Sequence, residues 1–358
     1  MTTKAIYKLL GIIMLCAGSF ACLPTPTPPV LTQGYHAPTS FSIGIYHACA
    51  VLPSIYHPSW QPWNTDIVDK KYAVGRLYCW GDDPNADNLL VVPTDLADQS
   101  TDVISIAASY RYTCATYRLF DSGVFGDIQS TCWGGGALPL SPLPALTSPT
   151  QFVAGAAHIC AIDSNDVSCW IGYNDPTLTA ANNYYGVLNP PAMSNPTTLA
   201  SGFFHSCAID AGEVKCWGAE GLPPQYSVGQ TNVPDGIINP KAISAGYLHT
   251  CVLDNAGINC WGDVNRQVAL TNPVALASSS TRDCAIDASG LKCWGNEDTN
   301  TTPIFNKPSA VYMGLYYACA VDSAGVTCWM SAAGSNYYGI VTKMPPELRA
   351  ANVVYGVN

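Results

Sequence analysis

The stretch His205-Ser-Cys-Ala-Ile-Asp-Ala-Gly-Glu-Val-Lys-Cys-Trp-Gly218 decides the fold. Two runs of alternating character, Cys207 to Asp210 and Glu213 to Trp217, flank a short Ala-Gly turn, which is the pattern of a tight antiparallel hairpin with a cysteine near each open end. The unit recurs along the chain. First cysteines fall at Cys49, Cys114, Cys160, Cys207, Cys251, Cys284 and Cys319, and second cysteines, each followed by tryptophan, at Cys79, Cys132, Cys169, Cys216, Cys260, Cys293 and Cys328. One hairpin cannot bury its apolar face alone, so seven copies imply a stacked or radial architecture.

Each hairpin follows a segment of small and apolar residues, as in Pro149 to Gly155, Pro196 to Gly202, Pro240 to Gly246, Pro273 to Ser278 and Pro308 to Gly314. These segments read as further strands, with proline at the start where no ladder donor is needed. Thr39 to Gly44 is the N-terminal counterpart, and Ala351 to Val357 is a last copy with no hairpin after it. Strands at both ends suggest a ring whose termini meet, an all-β, seven-bladed β-propeller, because radial closure removes the problem of open sheet edges. An open solenoid is the alternative, but it needs distinct capping repeats.

The pattern Ala-Gly-x-x-His-x-Cys-Ala-x-Asp-x-x-Gly-x-x-Cys-Trp-Gly, seen in Ala154 to Trp170, Ser201 to Gly218 and Ala245 to Gly262, resembles the regulator of chromosome condensation (RCC1-like) repeat, in an exported bacterial lipoprotein type. The resemblance covers residues from about 39 to the C-terminus. It implies a seven-bladed propeller of mainly four-stranded blades. Here cysteines occupy positions that are usually apolar in the cytoplasmic and nuclear members, and the Gln-Leu-Gly often found after Trp-Gly is replaced by Tyr-Tyr-Gly or lost. Nuclear members exchange guanine nucleotide on a small GTPase and contact chromatin. Secreted members that resemble this chain inhibit β-lactamases with one rim of the ring.

Residues 1–21 read as a signal peptide: Lys4 and Lys8 precede an apolar run from Leu9 to Ala21, too short for the roughly 20 residues of a membrane span. Ser19-Phe20-Ala21-Cys22 resembles a lipobox, and ordinary signal peptidase cleavage also fits. Cys16 leaves with the signal and fourteen cysteines fill the hairpins, so Cys22 alone has no partner and is the expected lipidation site. Residues 22–38 form a Pro/Thr-rich tether and residues 39–358 the propeller. The chain is expected to be exported and anchored in the cell envelope. In an oxidising compartment the equal nine-residue spacing of five cysteine pairs predicts one disulfide within each hairpin, with the adjacent tryptophan on the opposite face. A glycine bulge in Asp254-Asn-Ala-Gly257 would slip that register by one residue. A net charge of −10, with only 15 Lys and Arg, argues against nucleic-acid partners.

His47, His158, His205 and His249 each stand two residues before a cysteine. As metal ligands they would make half-built sites spread around a ring, so they are expected to hydrogen-bond backbone within their own repeat. Asp163, Asp210, Asp254, Asp287 and Asp322, just before the turns, read as turn caps rather than calcium ligands. No catalytic motif stands out, and neither metal nor cofactor is expected. What remains are aromatic insertions: Pro53 to Gly75 with Trp60 and Trp63, and two Tyr-Tyr-Gly loops with Tyr184, Tyr185, Tyr337 and Tyr338. In a closed ring they fall on contiguous blades seven, one, two and three, which are expected to bind a protein partner while the lean fifth and sixth blades close the ring. Monomeric protein binding or scaffolding at the envelope is the expected role. A glycan-binding module is the alternative, followed by an inhibitor of a secreted enzyme or a propeller enzyme.

Overall fold

The computed structural model describes residues 38, 40–53, 75–97, 101–121, 124–135, 140, 142–172, 185–264, 269–280, 282–295, 302–330, 339–346 and 348–349. Among these, the strands form seven separate antiparallel sheets, six of three strands and one of four. In every sheet an innermost strand leads into a hairpin. The innermost strands are Ser40–Ile43, Thr101–Ala108, Pro149–Ala154, Pro196–Ser201, Ala242–Ala245, Ala275–Ser278 and Ala310–Met313, and they number blades 1 to 7. Among the described residues most blades thus show three strands, against the four implied by the repeat resemblance. Among the described residues blade 2 alone has a fourth, Val124–Phe125, where the guanidinium of Arg118 lies 3.9 Å over the Phe125 ring.

The hairpin register sets the cysteine pairing. Cys207 stands opposite Cys216 and Asp210 opposite Glu213, leaving Ala211 and Gly212 as the turn, both at positive φ (49° and 86°), the backbone of a type I′ hairpin. Blade 5 does not slip: Asp254 N–H donates to the Gly257 carbonyl, Leu253 pairs with Ile258, and Cys251 still faces Cys260. Gly257, at φ 134°, absorbs the different turn outside the cysteine register. All seven pairs face each other directly, with Cα separations of 4.0 to 4.2 Å, and are disulfide-bonded within their own hairpins.

Because side chains alternate faces along a strand, cysteine and tryptophan leave a hairpin on opposite sides. The first cysteine of one blade therefore meets the tryptophan of the next: Cys49 with Trp133, Cys114 with Trp170, Cys160 with Trp217, Cys207 with Trp261, Cys251 with Trp294 and Cys284 with Trp329. These clusters are the core. Burying an aromatic ring of this kind contributes about 2 to 3 kcal/mol, and the contribution recurs at each interface.

The innermost strands would present unpaired N–H groups to the axis, and a side chain from the preceding blade satisfies several of them. The hydroxyls of Ser40 and Ser42 accept from Ile106 and Ala108 N–H, Ser105 from Phe152, and Ser244 from Ser278, while the Gln151 side-chain oxygen accepts from Leu199. Close approach at the neck of the channel needs glycine. A Cβ on Gly246 would lie 2.3 Å from the Ser279 carbonyl oxygen, and one on Gly202 2.4 Å from that of Gly246.

Blade 7 packs against blade 1. Phe41 stacks on Tyr312 at 4.7 Å and meets Trp80 edge-on at 5.7 Å. The chain beyond blade 7 then bridges the seam: the Trp80 indole N–H donates to the Ile340 carbonyl at 2.9 Å, Lys343 pairs with Asp82, and Arg349 forms a parallel bridge with Val326. Ala351 to Val357, expected as a closing strand, lies outside the described residues, as do Cys22 and the tether from 22 to 37. Seven disulfides place the folded chain in an oxidising, extracytoplasmic setting. Among the described residues no helix is long and apolar enough to cross a membrane.

Candidate functional site

The four repeat histidines are buried, and each reaches across to the next blade rather than to its own backbone. Nε2 of His47 meets the Thr113 hydroxyl, His158 the Ser206 hydroxyl at 2.8 Å, His205 the Thr250 hydroxyl at 2.9 Å, and His249 the Asp283 carboxylate at 2.8 Å. The expectation of bonds within the repeat is corrected for a steric reason: each ring packs against the neck glycine of its repeat, in space that a Cβ would fill, and its Nε2 reaches the next blade. Where the next blade offers Ile159 instead of a polar side chain, blade 2 carries Tyr112, whose hydroxyl donates to the His158 carbonyl at 2.8 Å. Burial holds the imidazoles of His47 and His158 down at about 4 and that of His205 at about 3.

His249, Cys251 and Asp283 bring three potential ligand atoms within 4.8 Å of one another. Cys251 is bonded to Cys260 and offers no thiolate, which leaves two donors where zinc takes three or four. The turn aspartates are also engaged. Asp210 accepts from Ser194 and Asn195 N–H and pairs with Lys215 at 2.6 Å, while Asp254 and Asp287 divide their oxygens between their own turns and Ile238 or Thr271 N–H. They fasten the incoming segment of their blade to its hairpin.

The Tyr-Tyr-Gly loops turn out to have a structural element. Gly186 and Gly339, at φ 79° and 65°, precede the fully buried Val187 and Ile340, whose carbonyls accept the indole N–H groups of Trp217 and Trp80. Leu89 and Gln230 do the same for Trp133 and Trp261. Each loop thereby clasps the following blade. Tyr185 is half-buried, and its ring meets Phe204 edge-on at 5.5 Å. Tyr184, Tyr337, Tyr338, Trp60 and Trp63 lie outside the described residues. The segment that holds Trp60 and Trp63 is rooted at Pro53 and Gly75, at the turn end of hairpin 1, whereas Tyr185 packs at the open hairpin ends. The two groups are therefore rooted on opposite rims.

Between the neck residue and the middle strand every blade has two further residues, and those among the described residues form a collar around one mouth of the axial channel. The first of each pair lines a cavity of about 120 Å³: Ile45, Tyr110, Ala156, Phe203, Tyr247, Ser280 and Leu315. The collar is uneven. Blades 4 and 5 raise a wall in which Phe203 lies 4.6 Å from both Phe204 and Tyr247, with Tyr226 and Tyr185 behind Phe204. Blades 7, 1 and 2 raise a second wall from Leu315, the exposed Tyr316, Ile45, Tyr46 and Tyr110, with the Tyr46 hydroxyl 3.2 Å from that of Tyr110. Burial, together with the nearby phenols of Tyr226 and Tyr316, raises the Tyr247 phenol pKa. None of the residues lining the cavity is Lys, Arg, Asp or Glu. Sequence reading missed this collar because it occupies the two unspecified positions of Ala-Gly-x-x-His, whose aromatic bias was the available signal.

No protein-family model matches the sequence, and no curated protein does. Solved structures do. The CRINKLY WD40 ectodomain of the Arabidopsis thaliana receptor kinase ACR4 aligns with a TM-score of 0.56 at 18% identity, over 88% of this chain and 100% of that one. The entire ectodomain of the Physcomitrella patens receptor kinase CR4 gives 0.54 at 20% identity, over 82% and 73% of the two chains. Human WBSCR16 gives 0.53 at 12%, over 85% and 93%. The chain shares their propeller fold. At such identities the likeness extends to the fold alone.

Proposed function

We propose that this chain is an exported, lipid-anchored propeller of the RCC1-repeat type that binds a protein partner at the cell envelope through its axial mouth, without catalysing a reaction. The observation that carries the reading is the aromatic collar, whose cavity lining carries no charged side chain. Aromatic side chains clustered at the centre of a face, with one tyrosine exposed, are the residue types that dominate protein-binding energetics. The buried histidines, whose Nε2 atoms bond the next blade, and the turn aspartates, which fasten segments of their own blades, favour structural roles over chemistry. The apolar run before Cys22 and its unpaired count support lipidation at that residue, and the net charge of −10 speaks against nucleic acid.

The test is substitution at the mouth. Phe203→Ala combined with Tyr316→Ala should weaken retention of the envelope partner by about thirtyfold or more, the effect of losing a 2 kcal/mol hot spot. The thermal melt should stay close to that of the parent. Unchanged retention would remove the mouth from the account.

A further inference from the structure

The collar has an internal shape that says more about its ligand. Its two aromatic walls, on blades 7, 1 and 2 and on blades 4 and 5, are separated by small residues: Ala156 on blade 3 and Ser280 on blade 6. Blades 3 and 6 stand nearly opposite in a seven-membered ring. The low points therefore define a trough that crosses the axis, with tyrosine on both sides, phenylalanine on the blade 4 side, and an uncharged lining.

Resting on the reading of the mouth as a binding site, we propose that the trough takes an extended, uncharged, proline-containing segment of the partner protein. A linear ligand fits because the small residues Ala156 and Ser280 stand at its two ends. A neutral one fits because no lining residue could compensate a charge taken out of water, in a chain that is itself strongly acidic. A polyproline helix presents ring faces to aromatic walls and carries carbonyls with no internal hydrogen bonds, so it needs donors. The phenols of Tyr247 on blade 5 and Tyr316 on blade 7 are donors on either side of blade 6. Such a helix is also already extended before it binds, so little conformational freedom is lost. A glycan would ask for more: its hydroxyls are donors as well as acceptors, and the lining side chains offer serine and tyrosine hydroxyls but no carboxylate or side-chain amide.

The experiment titrates the full-length chain calorimetrically with blocked octaproline, a blocked octapeptide of alternating Lys and Glu, and cellotetraose. Ala156→Trp and Ser280→Trp fill the two low points, Tyr316→Ala removes an exposed donor, and Ile304→Ala alters the opposite rim. Octaproline should saturate the protein, and each of the three mouth variants should weaken it by about tenfold. Ile304→Ala should leave binding unchanged. If a tryptophan variant does not fold, Tyr316→Ala carries the test, because that side chain is exposed. No saturation by octaproline, equal binding of the charged peptide, or binding of cellotetraose in its place would overturn the proposal. If octaproline fails while Phe203→Ala with Tyr316→Ala still releases the envelope partner, only the ligand class falls. If that variant also keeps its partner, the mouth itself is wrong.

Discussion

Refolding with all cysteines reduced and blocked is expected to yield no folded propeller. Five disulfides close loops of sequence separation 9, and the others 18 and 30. By loop-closure entropy each restricts the unfolded chain by roughly 3 kcal/mol. Seven together amount to roughly 20 kcal/mol, more than the 5 to 15 kcal/mol by which most domains are stable. The lean blades sharpen the dependence, since a three-stranded sheet has little ladder to spare. The first cysteine of every hairpin is buried, so reductant reaches the bonds only after local opening. The measurement is far-ultraviolet dichroism and a thermal melt after refolding the alkylated, reduced chain from denaturant. A cooperative melt in that material would contradict the ledger. Replacing only Cys284 and Cys293 by alanine should lower stability by about 3 kcal/mol and leave the ring intact.

Acid should unfold the ring through its histidines. Folded His47, His158 and His205 hold imidazole values near 4, 4 and 3, against 6.5 when exposed, with burial as the main cause. A folded value below the unfolded one means the unfolded chain takes up protons first. The stabilisation is therefore complete above about pH 6.5 and is lost as pH falls toward 4. Each histidine contributes on the order of 3 kcal/mol at stake. Three of them approach the whole stability of an ordinary domain. The aspartates extend the acid limb: burial pushes Asp163, Asp210 and Asp287 up, but hydrogen bonds from backbone N–H groups and neighbouring side chains outweigh it and hold all three below the usual carboxylate range. Melting temperature should thus fall steeply between pH 6.5 and 4 and continue falling below. Histidine ring protons that titrate near 6.5 in the folded protein would refute this.

The hairpins, their number, the cysteine pairing and the opposed placement of cysteine and tryptophan were legible in the sequence, because they depend on period-two alternation and fixed local spacing. Contacts between blades were not. His158 meets Ser206 and Ser244 meets Ser278 across whole repeats, and which neighbour a side chain faces is set by the hand of the ring rather than by any local pattern. The unslipped register of blade 5 was hidden for a related reason: Gly257 can serve a turn as well as a bulge. The long aromatic insertion of blade 1 drew attention by its size, while the collar, two residues per repeat, could be seen only once Tyr46, Tyr110, Phe203 and Tyr247 stood around one axis.

The most direct test of the mouth as the binding site is photo-cross-linking in the intact envelope. A photoreactive phenylalanine analogue is placed at Phe203 or Tyr316 on the collar, and at Ile304 or Val274, exposed residues on the turn-end rim near the segments fastened by Asp322 and Asp287. One discrete protein adduct is expected from Phe203 and from Tyr316, and none from Ile304 or Val274. Adducts from the turn-end rim alone would contradict the mouth as the binding site.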